Sequence, residues 1–90
     1  MWTLFYSTKF KKDLKRYQNQ SVKLLALKEV LVQLQESGSV APSFKPHRLS
    51  GEYVGCMECH IQSDFLLIWF NEEDRTITLV RLGSHSELFK

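Results

Sequence analysis

Ninety residues, 43% of them hydrophobic and 24% charged, supply one compact core and leave no room for a second, so residues 1–90 are expected to form a single domain. No apolar run approaches the roughly 20 residues that cross a bilayer, and the N-terminus meets Lys9 too early for a secretory signal, which argues for a cytoplasmic protein with no membrane partner. The net charge of +2 conceals a division: residues 1–48 carry nine Lys or Arg against three acids, net +6, and residues 49–90 carry three against seven, net −4, so the first half offers a footprint for a polyanion.

Trp2 to Tyr6 is a short, aromatic-rich strand. Ser7 or Thr8 then caps a helix running to about Gln18, with Phe10, Leu14 and Tyr17 on one face and Lys11, Lys12, Lys15 and Arg16 on the other. Asn19-Gln20-Ser21 breaks it, and Ser21 can cap a second helix from about Val22 to Ser37, whose stripe is Leu24, Leu27, Leu31 and Leu34, backed by Val30. Gly38 ends that helix, and residues 38–52, with both prolines, read as a loop. Strands follow at Tyr53 to His60, Phe65 to Phe70 and Arg75 to Leu82, with Asn71-Glu72-Glu73-Asp74 as the last turn. The order β-α-α-β-β-β predicts an α+β domain, a helical hairpin packed on an antiparallel sheet. At the end, Ser84-His85-Ser86-Glu87 has capping-box spacing, leaving Leu88 and Phe89 as plugs for the core or, for Phe89, as an exposed ring that stacks on a base.

The chemistry is concentrated in the second half. His47, His60 and His85 are the three histidines, and imidazole both gives and takes a proton near neutral pH. If the 71–74 turn sets the register, Asp64 lies opposite Arg81, and if 61–64 is the preceding turn, His60 lies opposite Phe65. The strand ends bearing His60, Asp64 and Arg81 then meet at one edge of the sheet, with His85 four residues beyond Arg81. The same register gives the helices a floor of Leu66, Ile68, Phe70, Ile77 and Leu79. Histidines beside a carboxylate and an arginine on a partly basic chain point to acid–base cleavage of a phosphodiester. The rival is Cys56-Met57-Glu58-Cys59-His60, which matches the C-x-x-C-H pattern of haem attachment. Strand alternation would send the two cysteines to opposite faces, and no export signal accompanies them, so no haem is expected. A zinc site built from Cys56, Cys59 and a histidine lacks a second ordered pair of ligands and stands as a lesser alternative.

Three segments carry a resemblance: His47-Arg48-Leu49-Ser50-Gly51, then Cys59 to Ile68 with His60 and Asp64, then Arg81-Leu82-Gly83-Ser84-His85-Ser86-Glu87-Leu88-Phe89. As an ordered set they resemble the YafQ branch of the RelE/ParE toxin superfamily over nearly the whole chain. The resemblance implies a type II toxin–antitoxin toxin with a RelE-like fold that enters the A site of the 70S ribosome and cleaves mRNA. It implies a catalytic set of His47, His60, Asp64 and His85, with Arg81 and Phe89 in support. Phe65 stands where that branch commonly has tryptophan, and Lys45, beside His47, joins Arg81, Phe65 and Phe89 as a substrate-binding residue. Such an enzyme needs no cofactor or metal and leaves a 2′,3′-cyclic phosphate. A cognate antitoxin is its implied partner, with the basic face of the first helix or the histidine rim as the docking surface. The alternative is a ParE-like toxin that binds its target without cutting RNA.

Overall fold

The computed structural model describes residues 1–89 and orders them as β1 (Thr3–Tyr6), α1 (Thr8–Arg16), α2 (Ser21–Ser37), β2 (His47–Arg48), β3 (Met57–Gln62), β4 (Phe65–Asn71), β5 (Thr76–Gly83) and α3 (His85–Leu88). Ser7 starts α1, its hydroxyl accepting the Phe10 N–H at 3.0 Å. The helix ends at Arg16, two residues short of the predicted stop, with Tyr17 as its cap. Ser21 is the first residue of α2 rather than its cap, and Gln20 takes the cap position without a side-chain bond. Gly38 closes α2 in the left-handed conformation, φ 76°, and a Cβ there would collide with the Trp2 indole, so glycine is required twice over. Among the described residues no helix is long and apolar enough to cross a membrane.

The α+β architecture and the β-α-α-β-β-β order hold, with additions. The predicted loop contains two 3₁₀ turns, Pro42–Phe44 and Gly51–Tyr53, and the short strand β2, so β3 begins at Met57 rather than Tyr53. The five-stranded sheet runs β1-β5-β4-β3-β2. Strands β2 to β5 form the expected antiparallel ladder, but β1 joins β5 in parallel, which makes the sheet mixed. A single helical hairpin between β1 and the rest of the chain permits this, because it returns the chain to the far end of the sheet.

The predicted register is wrong for β4 and β5. Asn71 lies opposite Ile77, the turn between them absorbing extra residues through left-handed Asp74 and Arg75, φ 58° and 56°. Up to Trp69 opposite Leu79 the offset from the predicted register is about three residues, and an odd shift exchanges faces. A bulge then leaves Val80 over, so Arg81 lies opposite Ile68 and not Asp64. The helices therefore rest on Phe65, Leu67 and Trp69 with Ile77, Leu79 and Leu82, and against these pack Phe10, Tyr17, Leu27, Val30 and Leu34. Leu66 and Ile68, predicted for that floor, lie on the opposite face with Cys56 and Leu88, and Phe70 is exposed. The turn before β4 is Ser63-Asp64 rather than residues 61–64, and with a second bulge between His60 and Gln62 it sets His60 opposite Leu66 rather than Phe65.

Beyond Tyr6, β1 no longer covers the edge of β5, and α1 takes over. Ser7 N–H and Oγ donate to the carbonyls of Leu79 and Val80, and the Leu82 N–H donates to the carboxylate of Asp13 at 2.9 Å. Asp13 is only 2% exposed and also receives Arg81 through Nε at 2.7 Å and Nη2 at 3.1 Å. This bidentate pair ties α1 to the end of the strand that leads to His85.

Candidate active site

Alternation along β3 puts Glu58 and His60 on the face away from the helices, while Cys59 and Ile61 point into the helix-side core. Pairing of β2 with β3 sets His47 opposite Glu58. The His47 Nε2 lies 3.0 Å from Glu58 Oε1, and its Nδ1 lies 2.9 Å from the carbonyl of Lys45. Both ring nitrogens thus face acceptors, a pattern satisfied in full when both carry protons. Glu58 is 3% exposed, and its other oxygen, Oε2, has no hydrogen-bond partner among the described residues. This buried carboxylate beside two histidines joins the candidate site, although in the linear chain it is only one letter inside the C-x-x-C-H motif. His47, Glu58 and His60 offer ligand atoms within 4.8 Å of one another, a grouping that fits a metal ion. Cys56 and Cys59 do not, because they sit in clusters on opposite faces of the sheet, which removes the predicted cysteine-based zinc alternative.

The hairpin between β3 and β4 brings in the carboxylate. Asp64 adopts φ 51° in the two-residue turn, and its Oδ1 accepts both the backbone N–H of His85 and the His85 Nδ1, each at 2.9 Å. The first bond fixes the start of α3, and the second orients the imidazole, with Nδ1 turned to the carboxylate and Nε2 left without a partner among the described residues. The rings then form a row: His47 to His60 at 6.0 Å between centroids, His60 to His85 at 5.9 Å, His85 to Phe89 at 6.1 Å. Phe89 is 40% exposed and meets Tyr53 edge-on, so of its two predicted roles the structure shows the exposed ring, while Leu88 is the buried plug. An open groove of about 820 Å³ is lined by Lys45, His60, Asp64 and His85.

Two predicted substrate-binding residues lie elsewhere. Phe65 is 1% exposed in the helix-side core, its ring against Tyr17 at 4.9 Å, and is not available for stacking on a nucleobase. Arg81 does not meet Asp64; Asp13 holds its guanidinium, and its Nη1 turns to the Tyr53 hydroxyl at 3.2 Å. Asp13 itself carried a legible signal, since it falls three residues after Phe10 on the same stripe as Leu14 and Tyr17, a charge where the pattern calls for an apolar residue. Of the predicted basic face, Arg16 is drawn toward Asp13 and Glu87.

The Asp64 carboxyl is held below the ordinary carboxylate range, first by the His85 backbone N–H and then by the His85 ring. A lowered folded-state value means that this contact favours folding above the unfolded-state pKa of about 3.9 and is lost as pH falls through the folded one. Side-chain carboxyl NMR should therefore place Asp64 below its usual midpoint. In His85→Ala part of the depression should persist, because the backbone donor remains. An ordinary midpoint in the native protein would show that the contact does not form in solution.

Comparison with known proteins adds identity to the geometry. The model of the family described as the bacterial toxin of type II toxin–antitoxin system, YafQ, matches residues 2–90. The chain is 29% identical over 85 residues to the mRNA interferase toxin YafQ of Escherichia coli K12, covering 93% of this chain and 91% of that one. Among solved structures, a metal-bound toxin from Helicobacter pylori is 41% identical, with TM-score 0.85, over 99% of this chain and all of that one. The E. coli DinJ–YafQ complex contains a chain 26% identical, with TM-score 0.85, each covered in full.

Proposed function

This chain belongs to the YafQ family of bacterial toxins of type II toxin–antitoxin systems, and from that premise we propose that it is an endoribonuclease that cuts mRNA in the ribosomal A site and is silenced by a cognate antitoxin. The named activity of the E. coli relative supports cutting, and the DinJ–YafQ complex supports the antitoxin. What favours cleavage over ParE-like binding is the His85–Asp64 pair: a binder has no use for an imidazole whose outer nitrogen is freed by a carboxylate on the inner one.

RNA cleavage by its own 2′-hydroxyl needs a base for that proton, positive charge at the phosphorus, and an acid for the departing 5′-oxygen, all in line. His60 takes the 2′-OH proton. His85, when doubly protonated, delivers its Nε2 proton to the 5′-oxygen and is left neutral with its remaining proton on Nδ1, where Asp64 accepts it and holds the ring in orientation. Lys45, at the rim of the groove, presents a cation to the phosphate, and His47, held by Glu58 and the Lys45 carbonyl behind His60, extends the row of imidazoles that binds it. Phe89, exposed beside His85, is the ring on which a neighbouring base stacks. The products are a 2′,3′-cyclic phosphate and a 5′-hydroxyl.

The H. pylori relative is described as metal-bound, and His47, Glu58 and His60 are the residues that would hold an ion here, the orphan Oε2 of Glu58 included. Such an ion would supply Lewis-acid charge. The proton transfers assigned above use protein groups alone. Toxin stripped with a chelator and dialysed before mixing with magnesium-containing programmed ribosomes should cut at the untreated rate and leave cyclic-phosphate ends. Excess zinc should slow it by occupying the histidine lone pairs. Activity lost to the chelator and restored by zinc would reverse the assignment, and linear 3′-phosphate ends formed without a cyclic precursor would sink the mechanism.

A further inference from the structure

His85 stands on a helix of only four residues, too short to hold its shape by its own hydrogen bonds, so its position is set by whatever ties α3 down. Asp64 holds the first N–H, and Leu88 is buried at 3% exposure. The third tie comes from Tyr17, the cap at the end of α1, seventy residues away in sequence. The Glu87 Oε1 accepts the Tyr17 hydroxyl at 2.6 Å and the Ser84 N–H at 2.9 Å, while the Ser84 hydroxyl receives the Glu87 N–H at 3.3 Å. A Cβ on Gly83 would lie 2.6 Å from that same oxygen, so the glycine makes room for the carboxylate.

We propose that Tyr17 and Glu87 are positioning residues for His85: the Tyr17 hydroxyl, acting through the Glu87 carboxylate, fixes the one-turn helix that presents His85 to the groove. This rests on the cleavage reading above and deepens it. Residues two apart on a helix point to nearly opposite sides, so Glu87 acts through the helix and does not touch an RNA lying against His85. Tyr17 is itself rigid, 7% exposed and packed on Phe65. The hydrogen bond from Tyr17 is the largest influence holding the Glu87 carboxyl below its ordinary range, and burial followed by Glu87 pushes the Tyr17 phenol up. At neutral pH the contact is a phenol donating to a charged carboxylate, the short and strong kind. Losing it leaves the carboxylate held only by the Ser84 N–H at 2.9 Å and by Arg16 at 3.8 Å, and loosens the turn by the fraction of an ångström that in-line chemistry does not tolerate.

The test is single-turnover cutting of mRNA on programmed ribosomes, run beside the ¹H–¹³C signal of the His85 ring and a melting curve. Tyr17→Phe and Glu87→Ala should lower kcat by roughly tenfold to a hundredfold with KM little changed, and should shift or broaden the His85 signal. Glu87→Gln, whose amide oxygen still accepts both bonds, should retain most of the rate and the native signal. Native kcat in both Tyr17→Phe and Glu87→Ala would overturn the proposal. So would a fall in rate with an unmoved His85 signal, or an equal fall in Glu87→Gln. If His85→Ala itself cuts at the native rate, it is the cleavage reading that has failed, and the His85 ring signal alone then decides whether Tyr17 and Glu87 position that residue.

Discussion

Replacing His85 with alanine should lower the rate of mRNA cutting by about 10²–10⁴ while leaving the fold intact, because a positioned acid–base group contributes that much. The side chain is 58% exposed and contributes no core contact, so its removal should leave melting nearly unchanged. Alanine also keeps the backbone N–H that Asp64 accepts, so α3 stays capped. Asp64 and His85 act as one unit, and the double variant Asp64→Ala/His85→Ala should be little slower than His85→Ala alone. Cutting assays on programmed ribosomes, with growth arrest on expression as the cellular counterpart, measure both. A folded His85→Ala protein that cuts at the native rate would remove His85 from the chemistry.

Asp13→Ala should be the most destabilising single change outside the apolar core. It strips Arg81, whose side chain is only 15% exposed, of its two shortest bonds and leaves the Leu82 N–H without its acceptor. Breaking one side of a buried ion pair costs about 3–5 kcal/mol, since the remaining charge stays desolvated and unpaired. At about 4–8 °C per kcal/mol for a domain of this size, melting should fall by at least ~12 °C. Taking both charges away, in Asp13→Leu/Arg81→Met, should recover part of the loss, because no buried charge is then left alone. Thermal or urea unfolding decides it. A melting curve for Asp13→Ala that superimposes on the native one would mean that the pair contributes nothing.

Local patterns were legible where their cause is local. The stripe of Phe10, Leu14 and Tyr17 marked α1, Gly38 marked the end of α2, and the spacing of Ser84 and Glu87 announced a capping box whose two bonds are both present. The same holds for the residue types of the candidate site: His47, His60, Asp64 and His85 are legible in the linear chain, and the fold brings all four to one side of the sheet. Asp13 was there to be noticed, a charge on an apolar stripe, but its partner was not, because nothing near it in the chain names Arg81.

Register lay beyond that reach. Alternation says which residues of one strand share a face and is silent on how far a neighbouring strand slides. Here two left-handed residues in the β4–β5 turn and one extra residue at Val80 decided it. That slip moved Arg81 from the expected partner Asp64 to Ile68, turned Phe65 into core, and exchanged the floor of the sheet from Leu66 and Ile68 to Leu67 and Trp69. Glu58 became part of the site for the same reason: its burial beside His47 depends on the two-residue strand β2, formed by a segment with no strand pattern of its own. Periodicity is a property of one segment and follows from its own side chains. The pairing of segments is settled by turn dihedrals, bulges and the packing that rewards one offset over the next, and those exist only in the folded chain.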